Sequence, residues 1–201
     1  CGVHIVLKKL IPHGAGLGGG SSDAAAVLKG LVTLWNLRMS DVAVADLAVG
    51  LGSDVPFFLA PGISFGYGRG EKLQRLPNVF PFWIVCVVPP VQIATSWVYA
   101  NHTIQRRTSG LSLRDRFTSS VGDLKALESA LTNDFEEGVM SAVPAVRQTR
   151  DALQKQGLRC VMMSGSGSSV FGLTSDSATA LRSAGSMPAD HVVSITPPRS
   201  A

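Results

Sequence analysis

Apolar positions along the chain follow two different spacings, which predict a mixture of helices and strands. Between residues 22 and 37 the apolar side chains recur every three or four positions, as in an amphipathic helix. Residues 2–11 instead alternate, with Val3 followed by His4, and this pattern predicts a strand that Pro12 ends. This part of the chain thus predicts strand, turn and helix, in that order.

The rest of the chain continues this mixture. Helices are predicted over two short segments and over a longer one that Pro144 divides in two: 42–49, 177–184 and 123–156. Strands are predicted over six apolar runs, the first two forming a hairpin: 63–67, 71–76, 82–88, 160–163, 169–173 and 191–195. The polar region from Asn101 to Ser120 is typical of a linker or mobile loop. Elements in this order favour an α+β fold with two lobes, residues 1–100 and residues 101–201.

The composition is that of a folded globular protein. Apolar residues make up 45% of the chain and charged residues 16%, a balance that argues against intrinsic disorder. A chain of 201 residues suits one domain or two small lobes. No apolar run reaches about 18 residues, so no membrane span is expected.

The charged and metal-binding side chains argue against several classes of function. The net charge is +4, but the basic residues are scattered without interleaved aromatic side chains, so no nucleic-acid partner is predicted. Cys1, Cys86 and Cys160 are far apart and odd in number, which favours free thiols over disulfides or a zinc site. The histidines also lack metal-ligand spacing, and no metal site is predicted.

The strongest chemical signal is a glycine-rich loop between the first predicted strand and the first helix. Glycines permit positive φ and close approach of the backbone, and a helix N-terminus adds partial positive charge. Successive N–H groups can therefore cradle a phosphate. We predict that ATP phosphates bind the residues of this loop: Pro12, His13, Gly14, Ala15, Gly16, Leu17, Gly18, Gly19, Gly20, Ser21 and Ser22. The alternative is a flexible turn into the helix, with a serine as its cap.

Two familiar phosphate-binding motifs match this loop only partly. Gly14, Gly16 and Gly19 have the spacing of a dinucleotide fingerprint, but Asp41, at about the right distance for the ribose, falls at a predicted helix start. The P-loop spacing places Gly20 where a lysine is required. The loop therefore belongs to neither class.

Residues 12–26, PHGAGLGGGSSDAAA, resemble the second motif of the GHMP kinase superfamily. Residues 52–58, GSDVPFF, resemble a segment of one branch, and residues 133–136 and 163–171 are similar to its C-terminal landmarks. The resemblance implies a two-lobed GHMP kinase fold, with a ribosomal-protein-like N-terminal lobe and a ferredoxin-like C-terminal lobe. The first motif of the family, with its catalytic lysine, has no counterpart here. We therefore expect an incomplete N-terminal lobe and little turnover by this chain.

The resemblance implies an activity as well as a fold. Members of this branch use ATP, with Mg²⁺, to phosphorylate a hydroxyl of a cytidine diphosphate-linked methylerythritol, on a route to isoprenoid precursors. The expected partner is thus a small molecule, and the expected compartment is the bacterial cytoplasm or, in a eukaryote, the plastid stroma. Two alternatives stay open: another GHMP kinase, of the mevalonate or homoserine type, and an ATP-binding fragment without catalysis.

The resemblance also assigns roles outside the glycine-rich loop. Asp54 matches the catalytic aspartate and could accept the hydroxyl proton, although it could instead cap a helix. Substrate contacts are expected from two side chains and from a second glycine turn: Thr95, Tyr99, Gly165, Ser166 and Gly167. Tyr99 could stack on cytosine or pack on the core, and the second glycine turn, Gly165 to Gly167, could be an ordinary hairpin turn.

Overall fold

The computed structural model describes residues 2–102 and 112–199, and within them helices and strands alternate. The helices are α1 (Gly19–Leu34), α2 (Asp41–Leu51), α3 (Thr95–Asn101), α4 (Leu113–Ser120), α5 (Leu124–Ala130), α6 (Glu136–Ala142), α7 (Pro144–Lys155) and α8 (Ser177–Gly185). The strands are β1 (Ser64–Tyr67), β2 (Lys72–Arg75), β3 (Trp83–Val88), β4 (Arg159–Met163), β5 (Val170–Thr174) and β6 (Val192–Thr196). A 3₁₀ turn, Val55–Leu59, lies between α2 and β1. This content confirms the predicted α+β class.

Four strands form one antiparallel sheet in the order β4-β5-β3-β6. β3 lies in its interior, where Val85 pairs with Gly172 of β5 on one side and with Ile195 of β6 on the other. β1 and β2 form a separate hairpin, in which Ser64 pairs with Arg75. All six of these strands lie within a residue of their predicted bounds.

Helices cover both faces of the four-stranded sheet, because successive side chains of a strand point to opposite faces. On one face, Val85 of β3 packs with Val146 and Leu153 of α7 in the main apolar cluster. On the other face, Ile84 of β3 packs in a second cluster that contains Leu127 of α5. Burial on both faces makes this sheet the rigid part of the fold on which the site is built.

A third apolar cluster joins the two helices that follow the glycine-rich loop. Ala25 of α1, Ala48 of α2 and Val55 of the 3₁₀ turn are buried against one another. Small side chains at these positions let α1, α2 and the 3₁₀ turn pack closely. Asp54 directly precedes the 3₁₀ turn, so the cluster fixes its position relative to α1.

Most predicted helices are found, with shifted ends. α1 runs from Gly19 to Leu34 and not over the predicted 22–37, and Gly18 at its N-cap position has a left-handed conformation. α2 begins one residue before the predicted 42–49 and ends two residues after it, and the Ser40 hydroxyl caps its start by accepting a hydrogen bond from Ala43 N at 3.2 Å. α8 covers the predicted 177–184.

The strand predicted over residues 2–11 is wrong. None of these residues is in a strand, and Val3, Ile5 and Val6 are exposed. Within the described ranges, no strand pairs with this segment. An alternating pattern alone does not make a strand, because the backbone hydrogen bonds of a strand need a neighbour.

The linker predicted from Asn101 to Ser120 is wrong in its second half. Residues 113–120 form α4, whose start is capped by Ser112, which accepts a hydrogen bond from Asp115 N at 3.2 Å. Residues 103–111 lie outside the described residues.

The segment 123–156 contains three helices rather than the predicted two. Pro144 starts α7, as expected of a proline in the first turn of a helix. The second break, at residues 131–135, was missed, because no proline or glycine marks it.

The division of the chain into two lobes near residue 100 stays a prediction. β3 lies before that point, yet its two partners in the sheet, β5 and β6, lie after it.

Two further features bear on the class of function. Cys86 and Cys160 are free thiols, and burial raises the pKa of Cys86 and raises that of Cys160 to about 11. Both are therefore protonated near neutral pH and are poor nucleophiles. Across the described residues, no helix combines the length and the apolarity that a bilayer span requires.

We predict that Leu153→Ala lowers the free energy of unfolding by about 2–5 kcal/mol, because it removes buried methyl groups and leaves a cavity under the sheet. Leu153 is fully buried, whereas Leu181 on α8 is 62% exposed. The matched Leu181→Ala should change stability by no more than about 0.5 kcal/mol. Urea denaturation measures both, and equal losses would contradict the burial of α7 described here.

Candidate active site

The glycine-rich loop ends at the N-terminus of α1 with its backbone in an unusual conformation. Gly16 and Gly18 have φ angles of 69° and 65°, in the left-handed region that other residues rarely adopt. Alternation of such residues with ordinary ones turns successive N–H groups toward one concavity. The first helical hydrogen bond runs from Ser22 N to Gly18 O at 2.8 Å, so the N–H groups of the residues between them have no partner within the helix.

The first turn of α1 contains no acidic side chain. Asp23, one residue beyond this turn, pairs with Lys9 Nζ at 2.5 Å. It is not among the residues that line the cavity beside the loop. The positive end of the α1 dipole is therefore free to attract an anion.

A cavity of about 710 Å³ lies beside the glycine-rich loop, within the usual range for small-molecule sites. It brings together residues that are distant in the sequence. The predicted site residues that line it are the loop from Pro12 to Ser21, together with Asp54, Thr95, Tyr99, Gly165 and Ser166. Two predicted residues do not line it: Ser22 donates its hydroxyl to Gly19 O at 3.0 Å, and Gly167 N donates to Ser164 O at 2.9 Å.

Asp54 has a carboxylate without a protein partner in the described ranges. It occupies the N-cap position of the 3₁₀ turn, but its side chain makes no capping hydrogen bond. No ion pair or other side-chain hydrogen bond holds it there either. The tip of the β1–β2 hairpin closes on it, so that a Cβ added to Gly70 would lie 3.4 Å from Asp54 Oδ1. A free carboxylate that faces a cavity can accept a proton from a bound alcohol.

The second glycine turn supports the glycine-rich loop directly. It connects the antiparallel strands β4 and β5, so it is a hairpin connection that also lines the cavity. Just before the turn, Ser164 donates its hydroxyl to Gly16 O at 2.9 Å, and just after it, Ser169 N donates to Ala15 O at 3.1 Å. A Cβ added to Gly16 would lie only 2.1 Å from Ser164 O. The close approach of the two segments therefore requires glycine at this position.

Two aromatic side chains, Tyr99 and Phe135, also line the cavity and form its aromatic side. Tyr99 of α3 is 61% exposed, and its ring makes an edge contact with Phe135 at a centroid distance of 4.9 Å. Val98, not Tyr99, is the fully buried residue of α3. Thr95 and Ser166 share a hydrogen bond of 3.0 Å between their hydroxyls. The exposed ring of Tyr99 is thus available to a planar ligand.

Some cavity residues were missed in the sequence. Gln92, Ile93 and Ala94 lie directly before Thr95, and Phe135 lies between α5 and α6. Phe135 belongs to a segment that carried the family resemblance, which was the available signal. For residues 92–94 the only signal was their place after the Pro89-Pro90 break.

The charge of the cavity comes from few groups. Among the described residues that line it, Asp54 is the only carboxylate and none is a lysine or arginine. In the same ranges no three His, Cys, Asp or Glu side chains are grouped as metal ligands. The cavity therefore offers main-chain N–H groups to an anion and one carboxylate to a cation or a proton.

Comparison with known proteins identifies two family matches and many relatives. Residues 1–62 match the family described as GHMP kinases N terminal domain, and residues 113–189 match GHMP kinases C terminal. A 4-diphosphocytidyl-2-C-methyl-D-erythritol kinase of Prosthecochloris aestuarii is 42% identical over 199 residues, and that of Chlorobium chlorochromatii is 40% identical over 201 residues. Each alignment covers 98% of this chain and 69% of the relative.

Solved structures give the same grouping. A crystal structure of 4-(cytidine 5'-diphospho)-2C-methyl-D-erythritol kinase has a TM-score of 0.75 and 33% identity, over 94% of this chain and 68% of the other. A homoserine kinase from Cytophaga hutchinsonii has a TM-score of 0.76 but only 17% identity, over the same shares. The second likeness concerns the fold alone.

We predict that Gly16→Ala weakens ATP binding about tenfold or more, which corresponds to about 1.4 kcal/mol. The added methyl group would collide with the backbone at Ser164, and alanine disfavours the positive φ at this position. Isothermal titration calorimetry measures the change in affinity.

Gly30→Ala is the matched control for this substitution. Gly30 lies within α1 with nothing near its Cβ position, so its replacement should leave ATP affinity unchanged and stabilise the helix by about 0.5–1 kcal/mol. Wild-type affinity in Gly16→Ala would contradict the proposed role of the loop contact.

Proposed function

The chain belongs to the GHMP kinases and, within them, to the 4-diphosphocytidyl-2-C-methyl-D-erythritol kinase family, and we propose that it transfers the γ-phosphoryl group of ATP to a hydroxyl of 4-diphosphocytidyl-2-C-methyl-D-erythritol. The observation that carries this proposal is the shared cavity: the glycine-rich loop at the N-terminus of α1 and a free carboxylate, Asp54, line the same space. Phosphoryl transfer to an alcohol needs groups that hold the ATP phosphates and a group that orients the acceptor hydroxyl, close to each other in one site.

ATP is held through its phosphates by the glycine-rich loop. The free N–H groups at the start of α1 donate hydrogen bonds to the phosphate oxygens, and the helix dipole favours their negative charge. The contact of Gly16 with the residues around the second glycine turn fixes the shape of the loop before ATP binds. Donors that are already oriented need no reorganisation when charge develops on the transferred group.

Asp54 acts on the acceptor hydroxyl. Its carboxylate takes the hydroxyl proton as the alcohol oxygen bonds to the γ-phosphorus and the bond to the ADP oxygen breaks. The absence of a capping hydrogen bond leaves both carboxylate oxygens available for this role.

Magnesium fits this site as a partner of ATP. When bound with the nucleotide, Mg²⁺ neutralises charge on the phosphate oxygens. It commonly keeps water and phosphate oxygens as ligands, and these would hold it here, because Asp54, the one carboxylate among the described lining residues, acts as the base. Because those residues include no lysine or arginine, a cation that arrives with ATP would supply charge that they lack.

The cytidine end of the acceptor binds on the aromatic side of the cavity. The exposed ring of Tyr99 stacks on the cytosine, and Phe135 holds that ring by its edge contact. Thr95 and the second glycine turn, through Gly165 and Ser166, line the path between the base and the phosphate side.

We predict that Asp54→Asn lowers kcat by about 10²–10⁴-fold, the usual contribution of a general base, while ATP affinity changes little. The natural full gene product is used for kcat, and calorimetry gives the affinity. Asp46→Asn is the matched control, since Asp46 is an exposed residue of α2 outside the cavity. Retained turnover in Asp54→Asn would show that the carboxylate only starts the 3₁₀ turn.

The acceptor is tested by a panel of three alcohols with ATP and Mg²⁺: the cytidine diphosphate-linked methylerythritol, mevalonate and homoserine. We expect the first to be phosphorylated with the highest kcat/KM, because it alone offers a base to Tyr99. Formation of ADP and of the phosphorylated product is followed by mass spectrometry. Preference for mevalonate or homoserine would overturn the proposed acceptor and leave the kinase assignment in place.

A further inference from the structure

The carboxamide of Asn133 makes three hydrogen bonds at once. Its Nδ2 donates to Met163 O at 2.9 Å and to Gly165 O at 2.8 Å, and its Oδ1 accepts from Phe135 N at 3.0 Å. A carboxamide has only two protons to donate, so both are used on the backbone that enters the second glycine turn.

The two carbonyls that Asn133 holds lie on either side of Ser164. A second side chain from the same segment, Glu136, accepts a hydrogen bond from Met163 N at 2.8 Å. Met163 at the end of β4 is therefore fixed through both its N–H and its C=O. Burial raises the pKa of Glu136, although the bond from Met163 opposes this effect.

Ser164 connects the backbone that Asn133 holds to the glycine-rich loop. Its hydroxyl donates to Gly16 O at 2.9 Å, and its carbonyl lies where no side chain on Gly16 would fit. The direction of the Ser164 hydroxyl depends on the backbone on either side of it, which is the backbone that Asn133 holds.

The third bond of Asn133 reaches the aromatic side of the cavity. Phe135, whose N–H it accepts, makes the edge contact with Tyr99 at 4.9 Å. Asn133 therefore contacts both the second glycine turn, which holds the glycine-rich loop, and Phe135, which holds Tyr99. It is not itself among the residues that line the cavity.

We propose that Asn133 is a positioning residue that couples the glycine-rich loop to the Phe135–Tyr99 pair, so that the nucleotide site and the base site keep one geometry. The part of this inference that concerns a bound base rests on the proposed function. The part that concerns the second glycine turn and Phe135 does not, because it follows from the three hydrogen bonds of Asn133.

The identity of the side chain matters for this role. Asn133→Asp keeps the size but replaces two N–H donors with an oxygen that faces two carbonyl oxygens. Asn133→Ala removes all three bonds. If Asn133 only filled space, the aspartate variant would behave like the wild type. If the bonds position the site, it would be at least as damaging as alanine, because it adds repulsion.

The first experiment is hydrogen–deuterium exchange on the free 201-residue protein, followed in peptides that cover residues 12–22 and 95–102. We expect both peptides to exchange about tenfold faster in Asn133→Asp and Asn133→Ala, the factor that corresponds to the loss of one net hydrogen bond. The matched control is Asp176→Ala, which removes the cap of α8, where Asp176 accepts from Ala178 N and Thr179 N. It should lower global stability without selective change in these two peptides.

The second experiment measures ligand affinities of the same variants by calorimetry. ADP is titrated into the free protein, and cytidine 5'-diphosphate is titrated in the presence of saturating ADP, so that it cannot occupy the nucleotide site. Both dissociation constants should rise about tenfold in the Asn133 variants and stay at the wild-type value in Asp176→Ala.

The outcomes are distinct. Unchanged exchange in the Asn133 variants, a change in only one of the two peptides, or the same change in Asp176→Ala would each overturn the coupling. Failure of cytidine 5'-diphosphate to bind the wild type would instead overturn the proposed acceptor. The exchange experiment would still decide the role of Asn133, because it uses no ligand.

Discussion

The site depends on one close contact between two stretches of backbone, Gly16 in the glycine-rich loop and the residues from Ser164 to Gly167. A Cβ on Gly16 would lie 2.1 Å from Ser164 O and 2.9 Å from Gly167 N. The contact joins the start of α1 to the rigid four-stranded sheet, since the second glycine turn connects β4 and β5. The N–H groups that we propose to bind phosphate are therefore held by the core of the protein and not by the loop alone.

This arrangement divides the chemistry between main chain and side chain. The main chain supplies oriented N–H groups for an anion, and their strength comes from the helix dipole and from preorganisation. The described side chains of the cavity supply one carboxylate, Asp54, and an aromatic surface on Tyr99. In the proposed function, this separation lets the phosphates, the reacting hydroxyl and the base be recognised by different parts of one cavity.

The sequence was informative wherever the signal was local. The six strands of the sheet and the hairpin could be predicted from apolar runs between turn residues, and the start of α2 could be predicted to within one residue. Whether residues 2–11 form a strand could not be decided from the sequence. The alternating pattern lies within the segment, but a strand also needs a partner from another part of the chain.

Residues of the site followed the same rule. Asp54 and the glycine-rich loop lie in recognisable motifs, Tyr99 was assigned through the family resemblance, and all three meet in one cavity. Asn133 lay in a motif but no role could be predicted for it. Its three hydrogen-bond partners are backbone atoms, which every residue type has, so the sequence does not identify them.

A binding surface made of main-chain amides has a consequence for how this protein can change. Every residue except proline has the same N–H group, so a mutation in the loop to any residue but proline cannot delete a donor in the way that it deletes an arginine. It can act only by adding bulk or by changing the path of the backbone. We expect such a surface to tolerate substitutions at Leu17 or His13 but not at Gly16, where the space for a single methyl group decides whether the loop retains its shape.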